Sequence, residues 1–161
     1  MQFEDLVREH AAELYRYAFW LARERRQAED VVQEALLRAW RGLPRLRERA
    51  AAKSWLFSIV RNEFYRMAGR SAPLADVVEL DAIAAPEQHA ALEMRDALMA
   101  LPVAYAEPLA LQVLGGFSCA EIAGMLGASE GATMTRLTRA RQALRRLLAP
   151  GGAKERRGGR P

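Results

Sequence analysis

Apolar residues recur at three- and four-residue steps along most of this chain. Phe3, Leu6, Val7, Leu14, Ala18 and Leu21 form one such series, and Val32, Leu36, Ala39 and Trp40 form a second. This is the period of a helix with one buried face. It predicts a helix through the N-terminal stretch and another at about 27–41, with Asp30, Gln33, Glu34 and Arg38 outside the apolar stripe. Gly42 and Pro44, within "GLPRLRERAAAKS", interrupt the pattern. A third helix, "SWLFSIVRNEFYRMAG", is expected to run from a Ser54 cap to Gly69. Its aromatic residues Trp55, Phe57, Phe64 and Tyr65 stand at helical spacing and read mostly as core.

The segment "GRSAPLADVVELDAIAAPEQHA" (69–90) loses the period and contains Pro73 and Pro86, which marks a linker. Periodicity resumes in "EQHAALEMRDALMALP", stopped by Pro102, and in "AYAEPLALQVLGG", ended by Gly115 and Gly116. In "SCAEIAGMLG", Ser118 precedes Glu121 by three residues, a capping box that opens a short helix, and Gly127 closes it. A last helix then starts from a Ser129 cap. No run alternates β-branched residues as a strand would. The expected fold class is all-α, with two small helical domains at 1–70 and 91–149, a linker at 71–90 and a basic disordered tail at 150–161.

Charge sharpens this division. The chain has a net charge of +4 and a pI near 9.7, and its lysines are Lys53 and Lys154 alone, so the positive charge is almost all arginine. Arginine suits bidentate contacts to phosphate and guanine, though a GC-rich coding bias gives the same enrichment. Between 71 and 94 stand Asp76, Glu79, Asp81, Glu87 and Glu93 with no base, so the linker is acidic. The last helix is the opposite: after Glu130, "GATMTRLTRARQALRRLL" has no acid and no lysine. At 100° per residue, Thr133, Leu137, Ala140, Leu144 and Leu148 form its buried seam. Thr135, Thr138, Arg139, Gln142 and Arg146 lie opposite, flanked by Arg136 and Arg145. Hydroxyls, an amide and guanidinium groups on one face can reach base edges and phosphates in a major groove. A short helix, a glycine-closed turn and a second helix bearing that face make a helix-turn-helix.

Other chemistry finds little support. Cys119 is the single cysteine, and His10 and His89 stand far apart, so no disulfide and no metal-ligand spacing is expected. No phosphate loop or nucleophile–base pair is identifiable. The expectation is a protein that is not an enzyme and has no cofactor or small-molecule substrate. No apolar run reaches the ~18 residues of a membrane helix, and "MQFEDLVREH" lacks a signal-peptide layout, so the expected location is cytoplasmic.

The segment "ALMALPVAYAEPLALQVLGGFSCAEIAGMLGASEGATMTRLTRARQALRRLL" resembles the promoter-binding domain of bacterial extracytoplasmic-function (ECF) sigma factors. "AEDVVQEALLRAW" (28–40) resembles the same family's polymerase-docking helix. "SWLFSIVRNEFYR" (54–66) resembles the helix that engages the upstream end of the melted promoter. The resemblance spans residues 3–148. It implies that Asp30, Gln33, Glu34 and Arg38 meet a coiled coil on the clamp of core RNA polymerase. It places Asn62 at a pocket for an extruded base of the minus-ten element, with Arg47, Lys53, Arg61 and Arg66 holding phosphates, together with Arg45 and Arg49. Thr135, Arg136, Thr138, Arg139 and Gln142 would read the minus-thirty-five element. Promoter DNA and core polymerase are the implied partners, with an anti-sigma factor as a third, and the implied function is promoter recognition and melting. The chain departs from the family pattern at Leu46 and Ala52, where aromatic residues are common. It departs again at Met134, where a basic residue is usual, and at Thr133, where valine is.

Two alternatives stay open at this point. A stand-alone helix-turn-helix regulator would have no use for the 28–40 helix. A sigma-like decoy that titrates an anti-sigma protein need not keep the arginine face of the last helix.

Overall fold

The computed structural model describes residues 2–69 and 93–149. The acidic linker and the basic tail, as well as the start of the 87–102 helical segment, lie outside the described residues. Within them the structure holds seven α-helices and no strand: α1 (Phe3–Ala22), α2 (Arg25–Gly42), α3 (Ala52–Met67), α4 (Met94–Ala100), α5 (Val103–Gly115), α6 (Cys119–Leu126) and α7 (Glu130–Leu148). Two compact units are distinguished. One contains α1, α2 and α3, with residues 114–117 grouped with it, and the other contains α4, α6, α7 and the rest of α5. None of these helices is long and apolar enough to cross a membrane.

In the first unit α1, α2 and α3 pack on one another pairwise. α1 contributes Leu6, Leu14, Tyr17, Ala18 and Trp20 to the core. Glu4 and Asp5 in its first turn complement the helix dipole. The helix stops at Arg23, in the left-handed region at φ 61°, whose N–H donates to Phe19 O at 2.8 Å. Tyr17 stacks on Trp20 and meets Phe57 of α3 with ring centroids 5.2 Å apart. Each fully buried large apolar side chain here contributes about 1.5–3 kcal/mol.

α2 corrects one expectation. Its buried residues are Ala28, Val31, Val32, Ala35 and Ala39, whereas Trp40 is 61% exposed. At 100° per residue the small alanines and the two valines share a narrow arc, and Trp40 falls about 80° beyond its edge. Small residues at the seam let the helix backbones approach closely, leaving no room there for an indole.

Between α2 and α3 the chain winds through two 3-10 turns, Leu43–Arg45 and Arg49–Ala51. The second runs directly into α3, which therefore begins at Ala52 and not after a Ser54 cap. Ser54 lies inside the first turn, its hydroxyl donating to Ala51 O at 3.2 Å.

In the second unit α4 and α6 both pack on α7. The expected capping box is formed: Ser118 Oγ accepts from Glu121 N at 3.2 Å and Glu121 Oε1 accepts from Ser118 N at 3.0 Å. Gly127, at φ 66°, ends α6, and Ser129 Oγ then accepts from Ala132 N at 3.1 Å to start α7. Short reciprocal caps of this kind set the angle between two helices with few residues. The buried side of α7 is Thr133, Leu137, Ala140, Ala143, Leu144 and Leu147. Leu147 takes the place expected for Leu148, which is half-buried.

Candidate nucleic-acid interface

The first unit presents a cleft of 580 Å³ lined by Arg38, Arg41, Gly42, Arg45, Trp55, Ile59, Asn62 and Glu63. Its origin is the helical register of α3. Ala52, Leu56, Phe57, Val60, Phe64 and Tyr65 are buried, which leaves one strip bearing Trp55, Ile59, Asn62 and Arg66 at steps of three and four. The end of α2 and the Leu43–Arg45 turn close the other side. Gly42 keeps this wall thin, since a Cβ there would lie 3.2 Å from Trp55 Cζ2. A cleft with an indole, an amide and several guanidinium groups can stack a flat ring, hydrogen-bond its edge and neutralise a phosphate.

One buried carboxylate organises the charges around it. Glu63 is 2% exposed and is ion-paired to Arg38 of α2. It also accepts from Arg66 Nε at 3.1 Å and Nη2 at 2.7 Å. A carboxylate removed from water needs such partners to offset its desolvation. The hydrogen bond to Glu63 and its charge raise the Arg66 pKa, with a smaller push from Glu34. Lys53 is likewise tied down, 2.7 Å from Glu13, and Arg49 lies 3.6 Å from Glu9.

The second unit presents the outer face of α7. Gly131, Met134, Thr135, Thr138, Arg139 and Gln142 line a shallow concavity of 450 Å³. Thr135 Oγ1 donates to Gly131 O at 3.1 Å and Thr138 Oγ1 donates to Met134 O at 2.9 Å. These hydroxyl protons are thus committed to the helix backbone. What remains for a ligand is an acceptor lone pair and a methyl group on each. Arg141, behind this face, hydrogen-bonds Gln112 Oε1 of α5.

The expected site residues distribute as follows. Asp30 and Gln33 are exposed on α2 and Glu34 is half-buried. Asn62 and Arg38 meet in the cleft, with Arg66 joined to it through Glu63. Arg47 is exposed between the two 3-10 turns. Arg61 departs from expectation: it is 8% exposed and its guanidinium lies 5.2 Å from the Tyr65 ring centroid. Broad burial of α3 turns it inward, where packing and a cation–π contact are among the interactions that hold it. Thr135, Thr138, Arg139 and Gln142 are exposed together, with Arg136 half-buried at the edge of the group. Sequence reasoning missed Leu37, 49% exposed, and misassigned Trp40. Both stand on the side of α2 that carries Asp30 and Gln33, and measuring their angle from the alanine seam would have found them. Gly131 and Met134, as lining of the α7 concavity, were also missed.

The model for Sigma-70 region 2 matches residues 6–78, and that for Sigma-70, region 4 matches residues 91–144. The chain is 40% identical over 154 residues to the ECF RNA polymerase sigma factor SigL of Mycobacterium tuberculosis, covering 89% of this chain and 86% of the relative. It is 37% identical over 151 residues to SigM of the same organism, covering 91% and 76%. Among solved structures, the sigma factor RpoE of Bartonella quintana, in complex with the anti-sigma factor NepR, superposes with a TM-score of 0.66 at 27% identity, covering 90% of this chain and 97% of that one. CnrH, in complex with the cytosolic domain of CnrY, gives 0.67 at 28% identity, covering 91% and 86%.

Proposed function

This chain belongs to the extracytoplasmic-function sigma factors of bacterial RNA polymerase, and from that premise we propose how its residues divide the work of transcription initiation. The protein binds core RNA polymerase and directs it to promoters. Residues 1–70 dock on the polymerase and handle the minus-ten element, and residues 91–149 read the minus-thirty-five element. The acidic segment 71–90 tethers them, and the basic tail 150–161 follows. Bond formation belongs to the polymerase, so the chain needs no catalytic group of its own and works in the cytoplasm beside it.

The single observation that carries this division is the exposed face of α7. It holds Thr135, Thr138, Arg139 and Gln142 together with no acid beyond Glu130. An ordinary solvated helix face pairs acids with bases, whereas a face for duplex DNA does not. Gln142 suits adenine and Arg139 suits guanine in a major groove.

In the first domain the docking surface on α2 comprises Asp30, Gln33, Glu34 and Arg38, and we add Leu37 and Trp40. Exposed leucine and tryptophan beside acids suit a protein partner whose helices carry basic and apolar side chains. The cleft around Asn62 receives a base that has left the stack, a step that costs about a few kcal/mol. Trp55 offers the stacking surface that Leu46 and Ala52 do not. Arg45, Arg47 and Arg66 meet phosphate, while Lys53 is available only if its ion pair with Glu13 opens. Such contacts make binding strongly dependent on salt. By likeness to the solved sigma–anti-sigma complexes, an anti-sigma factor is a third partner of this chain.

The test is transcription with core polymerase on a genomic fragment library. The wild-type chain should direct initiation at defined sites. Asp30→Lys with Glu34→Lys should remove it by weakening polymerase association, and unchanged association would contradict the docking surface.

A further inference from the structure

We propose that the concavity on α7 is a subsite for the 5-methyl group of thymine in an A·T pair, built around Gly131 and Met134. The proposal rests on the reading of α7 as a duplex-binding helix and specifies what one part of that helix recognises. Three observations converge on it. First, Met134 is 56% exposed, an apolar side chain on the outer face of a helix whose other exposed side chains are polar or charged. It is not needed for the core, since Leu137, Ala140, Ala143, Leu144 and Leu147 supply that side. Second, Thr135 and Thr138 donate their hydroxyl protons to backbone carbonyls. They cannot at the same time donate to thymine O4 or guanine O6, but they can offer methyl contact, and a lone pair to adenine N6–H. Third, Gly131 is the second residue of α7, and alanine is the better helix former. A Cβ built there meets nothing within 4 Å, so no packing within the protein demands glycine. Its hydrogen leaves the concavity open to an approaching base edge.

The chemistry selects one ligand class. Of the groups displayed in the major groove, the thymine C5-methyl is the apolar one. Met134 gives it a polarisable surface, and the two threonines give it further methyl contact. Gln142, on the same concavity, can pair bidentately with the adenine N6 and N7 of the same or the neighbouring pair. Arg139 at the opposite edge suits an adjacent guanine. A lysine or arginine in place of Met134 would meet phosphate instead and contribute no preference for a methyl group.

The test uses the full chain with core polymerase and a duplex selected by that holoenzyme from a library randomised through the upstream element. Each thymine in the selected element is replaced singly by deoxyuridine, which deletes the methyl and leaves all hydrogen-bonding groups in place. One replacement should weaken binding about fourfold, the order expected for one buried methyl. Met134→Lys should lose sensitivity to that replacement while still binding DNA. Gly131→Ala should fold with equal or greater thermal stability yet lose affinity for the selected duplex. If Arg139→Ala abolishes selection but no deoxyuridine replacement matters to the wild type, the methyl subsite is wrong and the duplex-reading role of α7 stands. If neither Arg139→Ala nor any replacement has an effect, both fail.

Discussion

Several cations around α3 and the outward Arg139 of α7 are held in different ways. Around α3, Arg38 and Arg66 share the buried Glu63 carboxylate, Lys53 is bonded to Glu13, and Arg49 stands near Glu9. On α7 the outward face carries no carboxylate beyond Glu130, and Arg139 makes no ion pair among the described residues. The first arrangement fixes side chains before a ligand arrives, reducing the ordering cost of binding. The second leaves the Arg139 guanidinium outside any ion pair, so it can settle on whichever base edge or phosphate the register presents. A pocket for one extruded base calls for shape, whereas a face for duplex DNA calls for reach.

The strongest test of this contrast lies at Glu63. Removing both Arg38 and Arg66 as alanines leaves a buried carboxylate without its ion-pair partners and should cost about 3–5 kcal/mol in chemical denaturation. Glu63→Gln, by contrast, releases two arginines that already reach water and should cost only about 1–2 kcal/mol. Equal losses would mean that the carboxylate is not the buried member that matters. Next, Arg139→Ala should reduce discrimination at the minus-thirty-five element by about 1–3 kcal/mol with no change in unfolding temperature, measured by competition binding of the holoenzyme. A matching loss of stability would show that this guanidinium is structural. Asn62→Ala should lower permanganate reactivity of the opened strand more than it lowers promoter binding, whereas equal losses would remove its role at the extruded base. The smallest effect is expected at Gly131. Alanine there should raise stability by up to about 0.5 kcal/mol, less than the full helix-interior difference, visible in thermal melts as an upward shift of about 2–4 °C at most.

What could be read from the sequence depended on the range of the interaction. Ser118 with Glu121, Gly127 and Ser129 were legible because each acts on backbone three or four residues away, so spacing alone specifies the hydrogen bond. The outward set Thr135, Thr138, Arg139 and Gln142 was legible for a related reason: Leu137, Ala140 and Leu144 mark the opposite side of α7 as buried. α2 was harder, because its seam is made of alanines, and Trp40 looked more like core than Ala28 or Ala35. Arg61 was harder still. Its burial follows from how broadly α1 and α2 cover α3, and no local pattern encodes that. Glu63 was passed over for the same reason, since its importance comes from Arg38, on a different helix. Family likeness supplied the role proposed for Asn62, and the structure supplied the cleft in which it stands.

The central claim, that the α3 cleft meets an opened strand while the α7 face meets duplex, is tested most directly by site-specific photocrosslinking in the open promoter complex. A crosslinker at position 62 should label single-stranded DNA of the minus-ten region, and one at position 139 should label duplex upstream, both only when core polymerase is present. Labelling of duplex alone from position 62, or undiminished specific labelling from position 139 without polymerase, would contradict the account.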